Sequence, residues 1–292
     1  MRSGYVIITG KPNVGKSTLL NTIVTKKVAI TSPKPQTTRN QIKVIYKKND
    51  LQILFIDTPG WHQPKFKLDL FLNSEIRNSY KIADIVLLLI DLTRDITDED
   101  QQVISIIKTY GIQNVILVLT KIDLSSAKKN ASYTDLIKKY IDVADVVGIS
   151  SKKNIGINKL LATIAERLNN NVNQPLNHHD NDNFTISEII REQVIFNTRQ
   201  ELPYATTVYV ELNQYDHFTN TLDIQAIIVV EKASQKPILI GHNGTMIKKI
   251  GITARKELMK IYDCKINLKL FVKVEKEWRN NEKFLASVGY GK

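Results

Sequence analysis

The chain has 292 residues, a formal net charge of +12 and 42% hydrophobic residues. That hydrophobic share supports packed cores and excludes an intrinsically disordered chain, and the length suggests two domains. The single cysteine, Cys264, excludes an intrachain disulfide framework and a cysteine-based zinc cluster, and fits a reducing compartment. Excess positive charge points to polyanionic partners, nucleic acid or an anionic membrane surface, with plain solubility as the competing explanation. The N-terminal stretch MRSGYVIITG lacks the long apolar run of a secretory signal, and the most apolar segment, 83–92, is too short to cross a bilayer. A cytoplasmic protein is expected.

In chain order, continuous apolar runs at 5–9, 51–57, 84–91, 114–120 and 146–150 predict strands buried on both faces. Helical patterns lie between most of them, for example 15–24 and 157–168. This rhythm predicts an α/β fold with a mostly parallel sheet and helices on both faces. Residues 169–183 are rich in Asn, contain Pro175 and predict a linker. His178, His179 and Asp180 lie there, but no further ligands follow at metal-site spacing, so a solvated loop is expected. Beyond it, a helix is predicted over 185–200, strands over 206–212 and 222–231, a helix over 245–262 and a strand over 265–275. In the last strand Ile266, Leu268, Leu270, Val272 and Val274 share one face, opposite Lys269 and Lys273. The order α-β-β-α-β predicts a smaller α+β domain. The expected division is a first domain over 1–170, a linker over 171–183 and a second domain over 184–292.

The first strand runs into Gly10-Lys11-Pro12-Asn13-Val14-Gly15-Lys16-Ser17-Thr18, and a helix follows. A glycine-rich loop between strand and helix is the context of a phosphate-binding P-loop. Its backbone N–H groups wrap phosphates, Lys16 reaches the β- and γ-phosphates, and the Ser17 hydroxyl ligates Mg²⁺. The strand at 51–57 ends in Asp57-Thr58-Pro59-Gly60, followed by Trp61. Asp57 is placed to hold Mg²⁺ through water and the Gly60 N–H to sense a γ-phosphate. In the loop at 35–40, Thr38 rather than Thr37 is expected to complete the Mg²⁺ shell when a nucleoside triphosphate is bound, an order–disorder switch.

Thr120-Lys121-Ile122-Asp123 follows the strand at 114–120. Asp123 can accept from guanine N1–H and its 2-amino group, which adenine does not offer. The Lys121 stem can lie along the base, and a backbone N–H of Ser150-Ser151-Lys152 can reach guanine O6. GTP or GDP is therefore the expected ligand. Trp61 stands where Ras-like enzymes carry a water-orienting Gln, so slow intrinsic hydrolysis is expected. A backbone group of the 31–40 loop, a K⁺ ion or a partner molecule are the alternatives for positioning the water.

A second glycine loop, Gly241-His242-Asn243-Gly244, opens the helix carrying Lys248 and Lys249. Its pattern matches the GxxG loop by which KH domains clamp single-stranded nucleic acid. Between 232 and 273 ten Lys or Arg stand against two acids, whereas 176–292 as a whole carries only +2. The positive charge thus gathers near this loop, where an RNA backbone would lie. Ile240, Ile247 and Ile250 are candidates for the floor of a base-holding groove or for ordinary core.

These motifs in this order resemble the Era family of bacterial GTPases. So do the phrases SEIIREQ, ELPYATTV, IGHNGTMIKKIG and LFVKVEKEWRNNEKFLASVGY. The resemblance spans almost the whole chain. It implies a GTPase domain followed by a type II KH domain, binding to the 3′ end of 16S rRNA and a role in maturing the small ribosomal subunit. It further implies that GTP favours RNA binding, that hydrolysis resets it, and that a peripheral membrane contact occurs; a monomer is expected. Three departures stand out. Thr120 replaces the usual Asn of the guanine motif, Ser151 replaces Ala, and the KH loop carries His242 and Asn243 where a Lys is usual. Thr120 is expected to weaken guanine affinity while keeping the preference. Two other functions stay open: a GTPase acting on a different RNA, and an RNA chaperone that holds nucleotide without turnover.

Overall fold

The computed structural model describes residues 2–25, 27–30, 41–59, 64–168 and 182–290. The loop with Thr37 and Thr38, residues Gly60 and Trp61, and the segment with His178, His179 and Asp180 lie outside the described residues. The chain forms two compact units, Met1–Gln63 with Leu72–His179 and Pro64–Phe71 with Asp180–Lys292.

The first unit holds six strands: β1 (Arg2–Thr9), β2 (Ile42–Lys48), β3 (Leu51–Asp57), β4 (Ile85–Asp91), β5 (Val115–Thr120) and β6 (Asp145–Gly148), in the order β2-β3-β1-β4-β5-β6. All neighbours are parallel except β2 and β3. The helices are α1 (Lys16–Val24), α2 (Lys67–Ile82), which belongs to this unit from Leu72 onward, α3 (Asp98–Thr109), α4 (Ala127–Lys138) and α5 (Ile157–Arg167). One sheet face, through Ile7, Ile56, Leu88 and Leu117, packs with Ile76 and Tyr80 of α2, Val103 and Ile107 of α3, and Ile137 of α4. The alternate residues Val6, Ile8, Phe55, Leu87 and Ile116 face the other way and are equally buried, as are Leu19, Leu20 and Ile23 of α1 and Leu160 and Ile164 of α5. Strands covered on both faces read as continuous apolar runs, which is why they are legible in the sequence.

β2 is absent from the sequence expectation. It is an edge strand paired only to β3, and its charged end, Lys47 and Lys48, dilutes the apolar signal. The Asn49-Asp50 turn, with Asn49 at φ 53°, is the cue that marks the hairpin.

The second unit contains α6 (Asp182–Asn197), β7 (Thr206–Asp216), β8 (Thr221–Val230), α7 (Gln235–Ile240), α8 (Thr245–Tyr262), β9 (Lys265–Val274) and α9 (Glu282–Ser287). β7 and β8 are antiparallel and β8 and β9 parallel, in the order β7-β8-β9. A parallel pair needs a crossover, and α7 with α8 supplies it. The predicted order α-β-β-α-β therefore gains two short helices. The run at 236–240 is too short for its period to declare a helix, and Pro237 fits in the first turn because its missing N–H has no helical partner there. α6 is buried continuously from Ile186 to Ile195, including the ion pair of Arg191 Nη2 with Glu188 Oε2 at 2.6 Å.

Trp278 is fully buried and donates from Nε1 to Ala205 O at 2.9 Å. It joins the segment after β9 to the entry of β7. Trp278→Ala leaves a large void and an unpaired carbonyl, so a loss of about 3–5 kcal/mol is expected. Denaturant unfolding followed by tyrosine fluorescence checks this.

Candidate functional site

Parallel strands bring their C-terminal ends to one edge of the sheet. Thr9, Asp57, Asp91 and Thr120 are the last residues of β1, β3, β4 and β5. Between β1 and α1 the loop 10–15 turns through Gly10 at φ 149°, where a Cβ would stand 2.7 Å from Leu89 O. Only glycine fits that approach, and it sets the loop at the N-terminus of α1, where free N–H groups attract anions.

Lys16 is buried, and its Nζ donates to Gly10 O at 2.9 Å and Lys11 O at 3.1 Å. Burial lowers its pKa, opposed by the nearby Asp57. Asp57 is fully buried and accepts from Ser17 Oγ at 2.7 Å through Oδ2, while Oδ1 has no partner among the described residues. Burial raises the Asp57 pKa to about 6, against the opposing pull of Lys16 and the Ser17 hydroxyl. A buried carboxylate with one open oxygen beside a hydroxyl is an incomplete shell for a hard cation. The donor set fits Mg²⁺. Thr58 ties this corner to β1, its N–H and hydroxyl meeting Ile8 O at 3.4 and 3.1 Å. Pro59 is buried beside it, Val14 is fully buried, and Pro12, Asn13 and Thr18 are half-buried.

The Thr120 hydroxyl donates to Val14 O at 2.9 Å, so the guanine motif is fastened to the phosphate loop by the residue that departs from the family pattern. Lys121, at φ 60°, reaches Asp91 Oδ2 at 2.5 Å and Asn13 O at 3.3 Å. Ile122 N–H donates to Ile149 O at 3.2 Å, which holds this turn against the 149–152 loop. Asp123 is exposed and bonds to no protein group among the described residues, leaving its carboxylate open to a ligand. Ser150 bridges to Ile155 through both backbone groups at 3.0 Å, Ser151 O accepts from the Thr22 hydroxyl at 3.4 Å, and Lys152 is exposed.

Sequence reasoning missed Asp91. Burial pushes its carboxyl up, but bonds from Lys121 and Thr93 outweigh burial and hold it below the usual carboxylate range. Its signal was available, because an acid closing an apolar strand beside Asp57 and Thr120 lies at the same sheet edge.

In the second unit Gly241 (φ 73°) and Gly244 (φ 76°) bracket an exposed His242 and Asn243, and Gly244 precedes α8. A Cβ on Gly241 would lie 2.7 Å from Met246 N, so the loop needs glycine there. Lys248 and Lys249 are exposed in the first turns of α8. One open alternative is decided and one sequence expectation changes. Ile250 is fully buried with Leu239 and Ala254 in the core, so it floors no groove, whereas Ile240 and Ile247 are half-buried. Lys265, Lys269 and Lys273 alternate with the β9 residues packed on the core, so they face away from α8. The positive charge is thus split between two faces.

Residues 5–121 match a family described as 50S ribosome-binding GTPase, and residues 201–279 match the KH domain family. The GTPase Era of Ureaplasma parvum is 46% identical over 294 residues, spanning 98% of this chain and 97% of that protein. This chain belongs to the Era family of GTPases. Clostridium perfringens GTPase Era is 39% identical, covering 100% of this chain and 99% of its own. An Aquifex aeolicus Era variant solved with GDP and aluminium fluoride superposes with TM-score 0.93 at 34% identity, covering 100% of both chains. An Era solved with MgGDPNP and nucleotides 1506–1542 of 16S ribosomal RNA gives 0.92 at 35%, again over 100% of both.

Two outcomes follow from the geometry. Asp123→Asn is expected to shift preference from GTP toward XTP, measured by competition against labelled GDP; unchanged preference for GTP contradicts the guanine assignment. Mg²⁺ needs the Asp57 carboxylate, and protonation removes it. Mg²⁺ affinity of the GDP-bound protein should therefore fall by roughly tenfold per pH unit below about 6. Titrations in parallel with Asp57→Asn isolate this group.

Proposed function

We propose that this chain is a GTP-hydrolysing switch that binds the 3′ region of 16S rRNA and assists maturation of the small ribosomal subunit. The observation that carries it is the buried Lys16–Ser17–Asp57 corner with an open carboxylate oxygen, accompanied in one chain by an exposed Gly241–Gly244 loop opening a basic helix. The Era relative solved with MgGDPNP and 16S rRNA nucleotides supports both halves.

In this reading the amides of Gly10–Thr18 wrap the phosphates, and Lys16 leaves its carbonyl contacts or shares them with the β- and γ-oxygens. Ser17 ligates Mg²⁺ directly and Asp57 through water. When bound, the ion neutralises charge developing on the transferring phosphoryl group. Thr38 and Gly60 complete the γ-phosphate response. Asp123 selects guanine, Lys121 lies beside the base, and a backbone N–H of 150–152 meets O6. Water positioning passes to a backbone group of loop 31–40, to K⁺ or to a partner, because the Trp61 indole can donate a hydrogen bond but cannot accept one from the attacking water. In the second domain, taken as 184–292, the Gly241–Gly244 loop holds the RNA backbone, with Lys248 and Lys249 adding charge.

The same reading makes the protein a cytoplasmic monomer that contacts the inner membrane surface peripherally. Among the described residues no helix is long and apolar enough to cross a membrane.

Binding to a short single strand copying the 3′ end of 16S rRNA tests the proposal, with GDP and then a non-hydrolysable GTP analogue at fixed salt. Tighter binding with the analogue, lost in Gly244→Asp, is expected. Equal binding in both states, or no preference over a scrambled strand, overturns the nucleotide-gated rRNA function.

A further inference from the structure

Lys11 occupies the first variable position of the phosphate loop, yet its ammonium is spent within the protein. Its Nζ lies 2.6 Å from Asp100 Oδ2 and 3.1 Å from Asp95 O, and the two side chains of the pair are 6% and 1% exposed. Burying two charges costs more than surface pairing returns unless the geometry is well defined. Here the Oδ2 side is defined from both ends, while Asp100 Oδ1 is buried without a partner among the described residues. Asp100 Oδ2 also accepts from the Thr97 N–H at 2.9 Å and the Thr97 hydroxyl at 3.2 Å, the capping box that starts α3. α3 itself is seated in the sheet core through Val103, Ile104 and Ile107. The turn before it is pinned by the Tyr133 hydroxyl, which donates to Arg94 O at 2.6 Å.

At the other end, the backbone carbonyl of the same Lys11 accepts from Lys16 Nζ, as does that of Gly10. One residue therefore anchors to α3 with its side chain and aims the phosphate-binding lysine with its backbone. The loop begins at a glycine, whose backbone direction is set by its surroundings rather than by a side chain of its own.

We propose that Lys11 and Asp100 form a buried strut that sets the carbonyls holding Lys16, which makes both of them positioning residues for GTP binding and hydrolysis. Among the described residues neither side chain bonds to Thr120, Lys121 or Asp123, so the strut acts on phosphate recognition and leaves base choice alone. The Lys11 ammonium thus acts through Lys16, while its backbone stays in the loop expected to wrap the phosphates.

The test uses the full chain with Lys11→Met, Lys11→Arg, Asp100→Asn and the Lys11→Met/Asp100→Asn double variant. GTP and GDP affinity, preference for GTP over XTP, single-turnover hydrolysis and melting temperature are measured for each. Lys11→Met should bind GTP about tenfold or more weakly, since small displacements of a positioning group cost that much or more. Its preference over XTP should not change. Lys11→Arg should recover most of the affinity, and the double variant should lose no more than the weaker single variant. If Lys11→Met does not fold, Asp100→Asn keeps the shape and the Thr97 contacts and carries the same expectation. The proposal is overturned if the variants melt lower yet bind and hydrolyse GTP like the wild type. It is equally overturned if Lys11→Arg is as defective as Lys11→Met.

Discussion

A carboxylate buried with one oxygen unmet is the constraint around which the first unit is arranged. Asp57 has no exposure to water, one hydroxyl partner and a lysine nearby, and its carboxyl is pushed up to about 6. Left to itself such a group is a liability, since a buried polar atom without a partner costs free energy. It is tolerable in a protein whose resting state includes a divalent cation. The parallel sheet makes the position possible, because β1, β3, β4 and β5 all deliver their last residues to one edge. There Thr58 fastens to β1, Thr120 to the phosphate loop, and Lys121 to Asp91.

The two glycine loops obey different physics. The loop at 10–18 works in a buried setting where each hydrogen bond counts and where Lys16 has its pKa lowered by burial. Its selectivity comes from fixed geometry. The loop at 241–244 places His242 and Asn243 at the surface with Lys248 and Lys249 exposed just beyond it, so its attraction is screened by salt and carries little sequence information by itself. A chain carrying both can treat one phosphate compound as a signal and the other as a partner.

Much of this was legible in the sequence, for identifiable reasons. Strands covered on both faces are continuous apolar runs, and the glycine positions of both loops are dictated by positive φ or close approach. β2 was not legible because one side of an edge strand is open to solvent and Lys47 and Lys48 mask its period. α7 was not, because five or six residues are too few to separate helix from strand. Ile250 read equally well as groove or core, and only packing against Leu239 decides it. The partners of Lys11 and Lys121 could not be read at all. An ion pair spanning 89 positions, such as Lys11 with Asp100, depends on how α3 is seated beside the loop, and one sequence holds no trace of that.

The central claim is that the chain holds a nucleotide and an RNA strand at separate sites. Native mass spectrometry with a GTP analogue and a strand copying the 16S rRNA 3′ end tests it most directly. One nucleotide and one RNA bound together on the same chain is the predicted result. RNA that displaces the nucleotide in proportion to its concentration would show a single shared phosphate site and contradict the account.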